Sequence, residues 1–321
     1  MKTRKIIVLF LSLTLMLLLC GCKSDKNKKI YIAVIAKSVN SDFFRKMESG
    51  VQSAATEYNV KVTFEGPESE ENFEAQNALI DKAVKNGADA IVLSAIDYTR
   101  SDKPVENAVK NGVRVITVDS GVSSKLVDMF IGTDSLEAGR SAAKAGFDTF
   151  NNNVDIKIGL ISFLETTANG QQREKGFKQA ASEAENAEIV ASRPAESNTD
   201  SAKQAAMKLL SENPEINMLA GFNEWITLGI GEAVRELGIS DKVCAVGFDS
   251  NISSVSMLET GEMDVLIVQN PFAMGYLAVK NAAALVGGET FSEKEEYTAV
   301  TAVNKNNMFN ESIQKILFSF D

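Results

Sequence analysis

From Ile30 onward, short apolar runs alternate with longer stretches in which apolar residues recur at helical spacing. Nearly continuous apolar runs suit strands buried on both faces, and their alternation with helical segments is the pattern of βαβ units and parallel sheets. The runs predict strands over residues 30–36, 60–64, 90–93, 113–118, 128–132, 156–162, 188–191, 216–220, 243–246 and 265–268. Helical spacing predicts helices over 43–58, 70–86, 103–111, 135–150, 170–185, 201–211, 224–237 and 272–286. Asn86-Gly87, Asn111-Gly112 and Gly238 supply stops, because glycine readily takes the left-handed conformation that ends a helix.

So many strands exceed one simple sheet for a 321-residue chain, and the polar Asn151-Asn152-Asn153 lies near the midpoint. Two similar α/β lobes follow, with no repeat of residue identities between them. Ahead of the first strand, residues 1–5 are basic and residues 6–19 are apolar apart from Ser12 and Thr14. That is the form of a secretory signal, and it is short for a membrane span. Leu19-Cys20-Gly21-Cys22 follows and resembles the bacterial lipobox. Cys22 fits the lipid-receiving position better than Cys20, since Leu19 would put a large residue before the cut. The expected arrangement is a leader over 1–21, a lipid on Cys22 and a polar, flexible tether over 22–29. Such a chain sits outside the cytoplasm, anchored to the bacterial cell membrane. The competing reading is an uncleaved anchor or plain signal peptide with a chance cysteine.

The chain is 45% hydrophobic and 24% charged, which suits an ordered globular protein. Its formal charge of −10 becomes more negative once Lys2, Arg4 and Lys5 leave with the leader. Such a surface repels phosphate backbones, so nucleic acid is excluded as a partner. Histidine is absent, which removes the usual general base near neutral pH, the commonest metal ligand and any Ser-His-Asp or Cys-His dyad. Two of the three cysteines fall in or beside the leader, so no intrachain disulfide framework is expected, and Cys244 reads as a small buried apolar residue. Gly229-Ile230-Gly231 lacks a third glycine and lies within a helical pattern, and no phosphate loop, Cys-pair metal motif or Asp-rich calcium loop occurs. No cofactor, metal or catalytic residue is expected.

Several segments in register resemble the type I periplasmic binding proteins of the ribose-binding and galactose-binding kind, over about residues 30–303. They are Ile32-Ala33-Val34-Ile35 with Asn40-Ser41-Asp42-Phe43-Phe44, then Gly87 through Ser94, Val115 through Asp119, and Ile131-Gly132-Thr133-Asp134. Arg173-Glu174-Lys175-Gly176-Phe177, Asn223, Val246-Gly247-Phe248-Asp249 and Gln269 follow in the expected order. The resemblance implies an α/β fold of two Rossmann-like lobes with parallel sheets, joined by a three-segment hinge. The first lobe would hold residues 29–133 plus 270–297 and the second 134–269 plus 298–321, with hinges near Thr133, Asn270 and Thr298. It also implies a monomer that binds a small carbohydrate between the lobes and presents it to the membrane subunits of an ABC importer.

A sugar offers apolar C–H faces and hydroxyls that both donate and accept, so its site needs flat aromatic surfaces and planar polar groups. Phe43 and Phe44 supply the first, though adjacent phenylalanines at a helix start also read as core. Asp119 and Asp249 follow strands and point toward the implied cleft, where a carboxylate accepts strong hydrogen bonds from neighbouring hydroxyls; each also reads as a helix or turn cap. Arg173, Asn223 and Gln269 bring planar donors and acceptors, and Ser41 and Ser94 occupy contact positions of the family. Trp225 either roofs the cleft or packs in the core.

The chain departs from the ribose-binding pattern at three positions. Ser120 stands where a second arginine is usual, Ser197 where an aromatic is usual, and Lys37 replaces a small polar residue. The first two favour a hexose or short oligosaccharide over ribose; Lys37 either adds a cation for an acidic sugar or pairs with Asp119 or Asp249. A repressor's effector domain shares this fold but begins with a helix-turn-helix rather than a leader. A binding protein that signals to a sensor kinase is a further reading. So is an extracellular glycoside hydrolase, though without an identifiable catalytic pair.

Overall fold

The computed structural model describes residues 29–151, 154–163 and 166–318. The leader, Cys20, Cys22 and the tether up to residue 28 lie outside the described residues.

The described strands form two six-stranded sheets. In the first, the order is β11 (Glu295–Tyr297), β5 (Met129–Gly132), β4 (Arg114–Val118), β3 (Ala90–Leu93), β1 (Tyr31–Ile35) and β2 (Lys61–Glu65), parallel throughout. In the second it is β12 (Thr301–Asn304), β10 (Val265–Val268), β9 (Cys244–Phe248), β8 (Met218–Gly221), β6 (Ile156–Phe163) and β7 (Ala187–Ala195), with only β12 antiparallel. Every residue of β1, β3, β8, β9 and β10 is buried, as the unbroken apolar runs require.

Helices cover both faces of the first sheet. Met47 and Val51 of α1 (Asp42–Glu57) and Met274 and Ala278 of α9 (Pro271–Val286) share one core with Ile32, Val92 and Ile116. Ile80 of α2 (Phe73–Lys85) and Val105 of α3 (Asp102–Lys110) join Ile91 and Leu93 in a separate core on the opposite face. The second sheet has one continuous core with α4 (Ser135–Phe147), α5 (Ala168–Glu183), α6 (Thr199–Glu212), α7 (Glu224–Leu237) and α8 (Ile252–Thr260). The short α10 (Glu311–Leu317) adds Leu317 to it. The two α/β lobes are thus separately cored. The chain passes between the sheets three times: from β5 into α4, from β10 into α9, and from β11 into β12.

Asparagine and aspartate fix several helix starts. Asn72, Asp134, Asn198, Asn223, Asn251 and Asn270 each accept a hydrogen bond from the backbone N–H three residues on. The Asn72 cap starts α2 at Phe73, three residues later than its pattern suggests, and leaves Glu70 in the preceding turn. Gly87, Gly112 and Gly238 take positive φ at or just beyond the ends of α2, α3 and α7, as expected.

Helices α4 and α5 are in backbone contact. A methyl group on Gly139 would overlap the carbonyl oxygen of Arg173, and one on Gly176 that of Leu136. This seam sets where Arg173 stands.

Cys244 is buried at the end of the second core, as its apolar surroundings suggest, and burial pushes its thiol pKa up to about 12.

Candidate ligand cleft

The carboxyl ends of β1, β3 and β4 face those of β8, β9 and β10, the ends at which open α/β sheets place ligands. Between them lies a small cavity of about 20 Å³. From the first lobe its wall takes Lys37, Ser41, Phe43, Phe44, Glu70 and Asp119; from the second, Phe163, Asn169, Arg173, Asn223, Glu224, Asp249 and Gln269. Nine of the twelve predicted ligand-binding residues are therefore brought together.

The other three stand behind that wall. Ser94 donates to Asp119 Oδ2 at 2.9 Å and so supports it. Ser197 donates to Glu70 Oε2 at 3.1 Å and receives Asn223 Nδ2 at 2.7 Å. Ser120 is fully buried, and among the described residues its hydroxyl has no partner. Neither Ser120 nor Ser197, expected to open room for a larger ligand, borders this cavity.

Asp119 and Asp249 occupy equivalent positions. Each directly follows its strand, each has positive φ (60° and 70°), and each donates its backbone N–H at 2.9 Å to a carbonyl of the next strand, Ile131 or Ile267. Left-handed backbone at a residue other than glycine is uncommon and concentrates at functional sites. Neither aspartate caps a helix; Asn251 caps α8.

The carboxylate of Asp119 accepts from Asn169 Nδ2 at 2.9 Å, and Lys37 Nζ lies 3.2 Å and Arg173 Nη2 3.8 Å away. Burial would push its pKa up, yet Lys37 and Arg173 hold it below the ordinary carboxylate value. Lys37 also donates to Asn169 Oδ1 at 3.1 Å, so its charge is engaged internally, and the acidic-sugar alternative loses its ground. Arg173 donates to Phe222 O at 2.9 Å and to Gln269 Oε1 at 2.7 Å, and its guanidinium lies 4.7 Å from the Phe248 ring centroid. Gln269 in turn receives Thr133 Oγ1 at 2.9 Å and donates to Asp249 Oδ1 at 2.6 Å. One polar network thus runs from Ser94 to Asp249 across both lobes. Phe43 and Phe44 belong to the first core and also form part of the wall, edge to face at 5.2 Å.

Four lining residues escaped sequence reasoning: Glu70, Phe163, Asn169 and Glu224. Asn169 had a signal, since it precedes Arg173 by one helical turn and shares its face. Glu224 looks like an ordinary first-turn acid, yet it crosses the cleft: Oε2 accepts from Ser41 Oγ at 2.6 Å and from the Phe43 amide at 3.3 Å, the open N-terminus of α1. Glu70 receives Trp225 Nε1 at 3.3 Å, so Trp225 bridges the lobes at the rim.

Burial raises the pKa of Glu70 to about 7 and that of Asp249 to about 6. The folded protein therefore holds more protons than the unfolded chain between about pH 4 and 7 and gains stability on acidification through that window. Asp119, shifted the other way, opposes this only below about pH 4. Denaturant midpoints are expected to be higher at about pH 5.5 than at about pH 8; a lower midpoint at the acid pH would contradict these burial effects.

Residues 32–290 match the model of the periplasmic binding protein domain. The chain belongs to that family. The family is one of solute-binding proteins rather than enzymes and works outside the cytoplasm. The D-allose-binding periplasmic protein of Escherichia coli is 26% identical over 255 residues, 77% of this chain and 82% of the relative. The D-ribose/D-allose-binding protein of Pseudomonas aeruginosa is 25% identical over 295 residues, 89% and 91% of the two chains. A carbohydrate transporter solute-binding protein from Agrobacterium radiobacter, solved with D-arabinose, superposes with a TM-score of 0.88 at 28% identity, covering 91% of this chain and all of that one. As a periplasmic binding protein, the chain shares the fold of that solved structure. Among its described residues, no helix is long and apolar enough to cross a membrane and no cluster could hold a metal ion.

Proposed function

We propose that this periplasmic binding protein captures a monosaccharide between its lobes and presents it to the membrane subunits of an ABC importer. The observation that carries this reading is the two-lobed cavity, in which planar donors and acceptors (Arg173, Asn169, Gln269, Asp119, Asp249) face the Phe43 and Phe44 rings. That combination suits a ring of hydroxyls with apolar faces. Relatives named for D-allose and D-ribose, and a neighbour solved with D-arabinose, support it.

A cavity of about 20 Å³ is far below the ~300–1,000 Å³ usual for small-molecule sites. Ligand entry therefore requires the lobes to part about the three crossings, near Thr133, Asn270 and Thr298. Relatives named for D-allose and D-ribose, and the neighbour solved with D-arabinose, favour a single sugar ring over an oligosaccharide. The deciding experiment is a thermal-shift and calorimetric panel of pentoses, hexoses and disaccharides, with mass spectrometry of any ligand released from the purified protein. Saturable binding of a monosaccharide is expected. Silence across the panel, with a non-carbohydrate released, would remove the reading.

The lipid anchor on Cys22 belongs to the same reading, with the acidic protein acting as a monomer on a short polar tether. Cys22→Ser is expected to carry no labelled acyl chain and to leave the cell surface for the medium. Persistent labelling would move the anchor elsewhere.

A further inference from the structure

The charges in the cavity wall do not balance. Among the described residues, Asp119 has its cations, Lys37 and Arg173. The other three carboxylates have none in ion-pair contact and are met by neutral donors. Glu70 receives Ser197 and Trp225; Glu224 receives Ser41, the Phe43 amide and Asn251; Asp249 receives Gln269. All three are at most 7% exposed. The ammonium of Lys46 donates to Ser250 O at 2.9 Å and acts on Asp249 and Glu224 only from beyond ion-pair contact. In the same wall Arg173, only 2% exposed, keeps Nε without an acceptor.

A buried carboxylate without a counter-charge is costly, and a buried N–H without an acceptor adds to the cost. A ligand that relieves both brings a cation and hydroxyl oxygens together. We propose that the cleft is selective for an amino sugar, its protonated amine held by the Glu70, Glu224 and Asp249 side and its hydroxyls by Arg173. This rests on the monosaccharide reading above and narrows it. A neutral sugar leaves the acids uncompensated, and an acidic sugar adds to their repulsion.

The test is calorimetry on the mature protein at neutral pH with matched sets: D-glucose, D-glucosamine and N-acetyl-D-glucosamine, and the galactose and mannose counterparts. The N-acetyl forms retain a substituent at the same carbon without the charge. In at least one set the amine is expected to bind about tenfold or more tighter than both neutral members, the gain from one charge-assisted hydrogen bond. Glu70→Gln and Glu224→Gln are each expected to shrink that ratio in folded protein. Neutral members binding as well as the amine, or a ratio unmoved in both variants, would overturn the proposal and leave the monosaccharide reading standing. No binding by any sugar, here or in the wider panel, would overturn both.

Discussion

Arg173→Ala is expected to weaken sugar binding by about 2–5 kcal/mol, the usual cost of removing one partner from a buried charged hydrogen-bond pair. The side chain holds three things at once: the Phe222 carbonyl, the Gln269 side chain and the electrostatic balance at Asp119. Without it, Gln269 Oε1 keeps only Thr133 of its two donors, and Asp119 keeps only Lys37 as a cation in ion-pair contact. Arg173→Lys restores charge without the planar fork and should recover only part of the loss, because an ammonium cannot reproduce the fixed geometry of two guanidinium nitrogens. Calorimetry on variants shown to be folded by circular dichroism checks both. Near-normal affinity in folded Arg173→Ala would take this residue out of the binding machinery.

Gly139→Ala is expected to destabilise the protein, although alanine is the better helix former. Propensity favours the substitution by about 1 kcal/mol. Against it stands an overlap with the Arg173 carbonyl oxygen, part of a helix backbone that cannot swing away as a side chain could. Overpacking of this kind costs about 1–3 kcal/mol. The net loss should appear as a lowered urea midpoint with unchanged slope. Because α5 must move for the methyl to fit, sugar affinity should fall as well. A midpoint at or above the parent value would mean that the seam has more room than its geometry implies.

The parallel core was legible because burial on both faces leaves an unbroken apolar run, and β3, β10 and α7 coincide with their patterns to the residue. The elements that escaped are polar ones. Edge strands β11 and β12 are only three and four residues long and carry Glu295, Glu296 and Asn304 beside a single fully buried residue, Val303, so period and composition gave no contrast. Helix α8 begins Ile252-Ser253-Ser254, and its real signal is a local one, the reciprocal bonds between Asn251 and Ser254. The same limit governs the cleft. Asp119, Asp249 and Gln269 were placed by the family resemblance, which for the two aspartates agreed with their position at strand ends. Glu70 and Glu224 were not, because their meaning depends on the opposite lobe: a first-turn glutamate says nothing in sequence about a helix terminus 181 residues away.

The paired left-handed aspartates also decide how the site can be interrogated. Alanine tolerates their backbone conformation poorly, at about 1–2 kcal/mol, whereas asparagine adopts it with little difficulty. An alanine variant at either place therefore adds backbone strain to the loss of an acceptor, and its affinity change reports the sum. Asparagine keeps the backbone conformation, removes the charge and exchanges one acceptor oxygen for an amide donor. Comparing Asp119→Asn with Asp249→Asn sets two residues of matched backbone and different electrostatic surroundings side by side: Asp119 is in ion-pair contact with Lys37 and Arg173, whereas at Asp249 burial outweighs the more distant pull of Arg173. Since the acceptor-to-donor exchange is common to both, the molecule contains its own reference for what the electrostatic surroundings of a carboxylate do at the end of a strand.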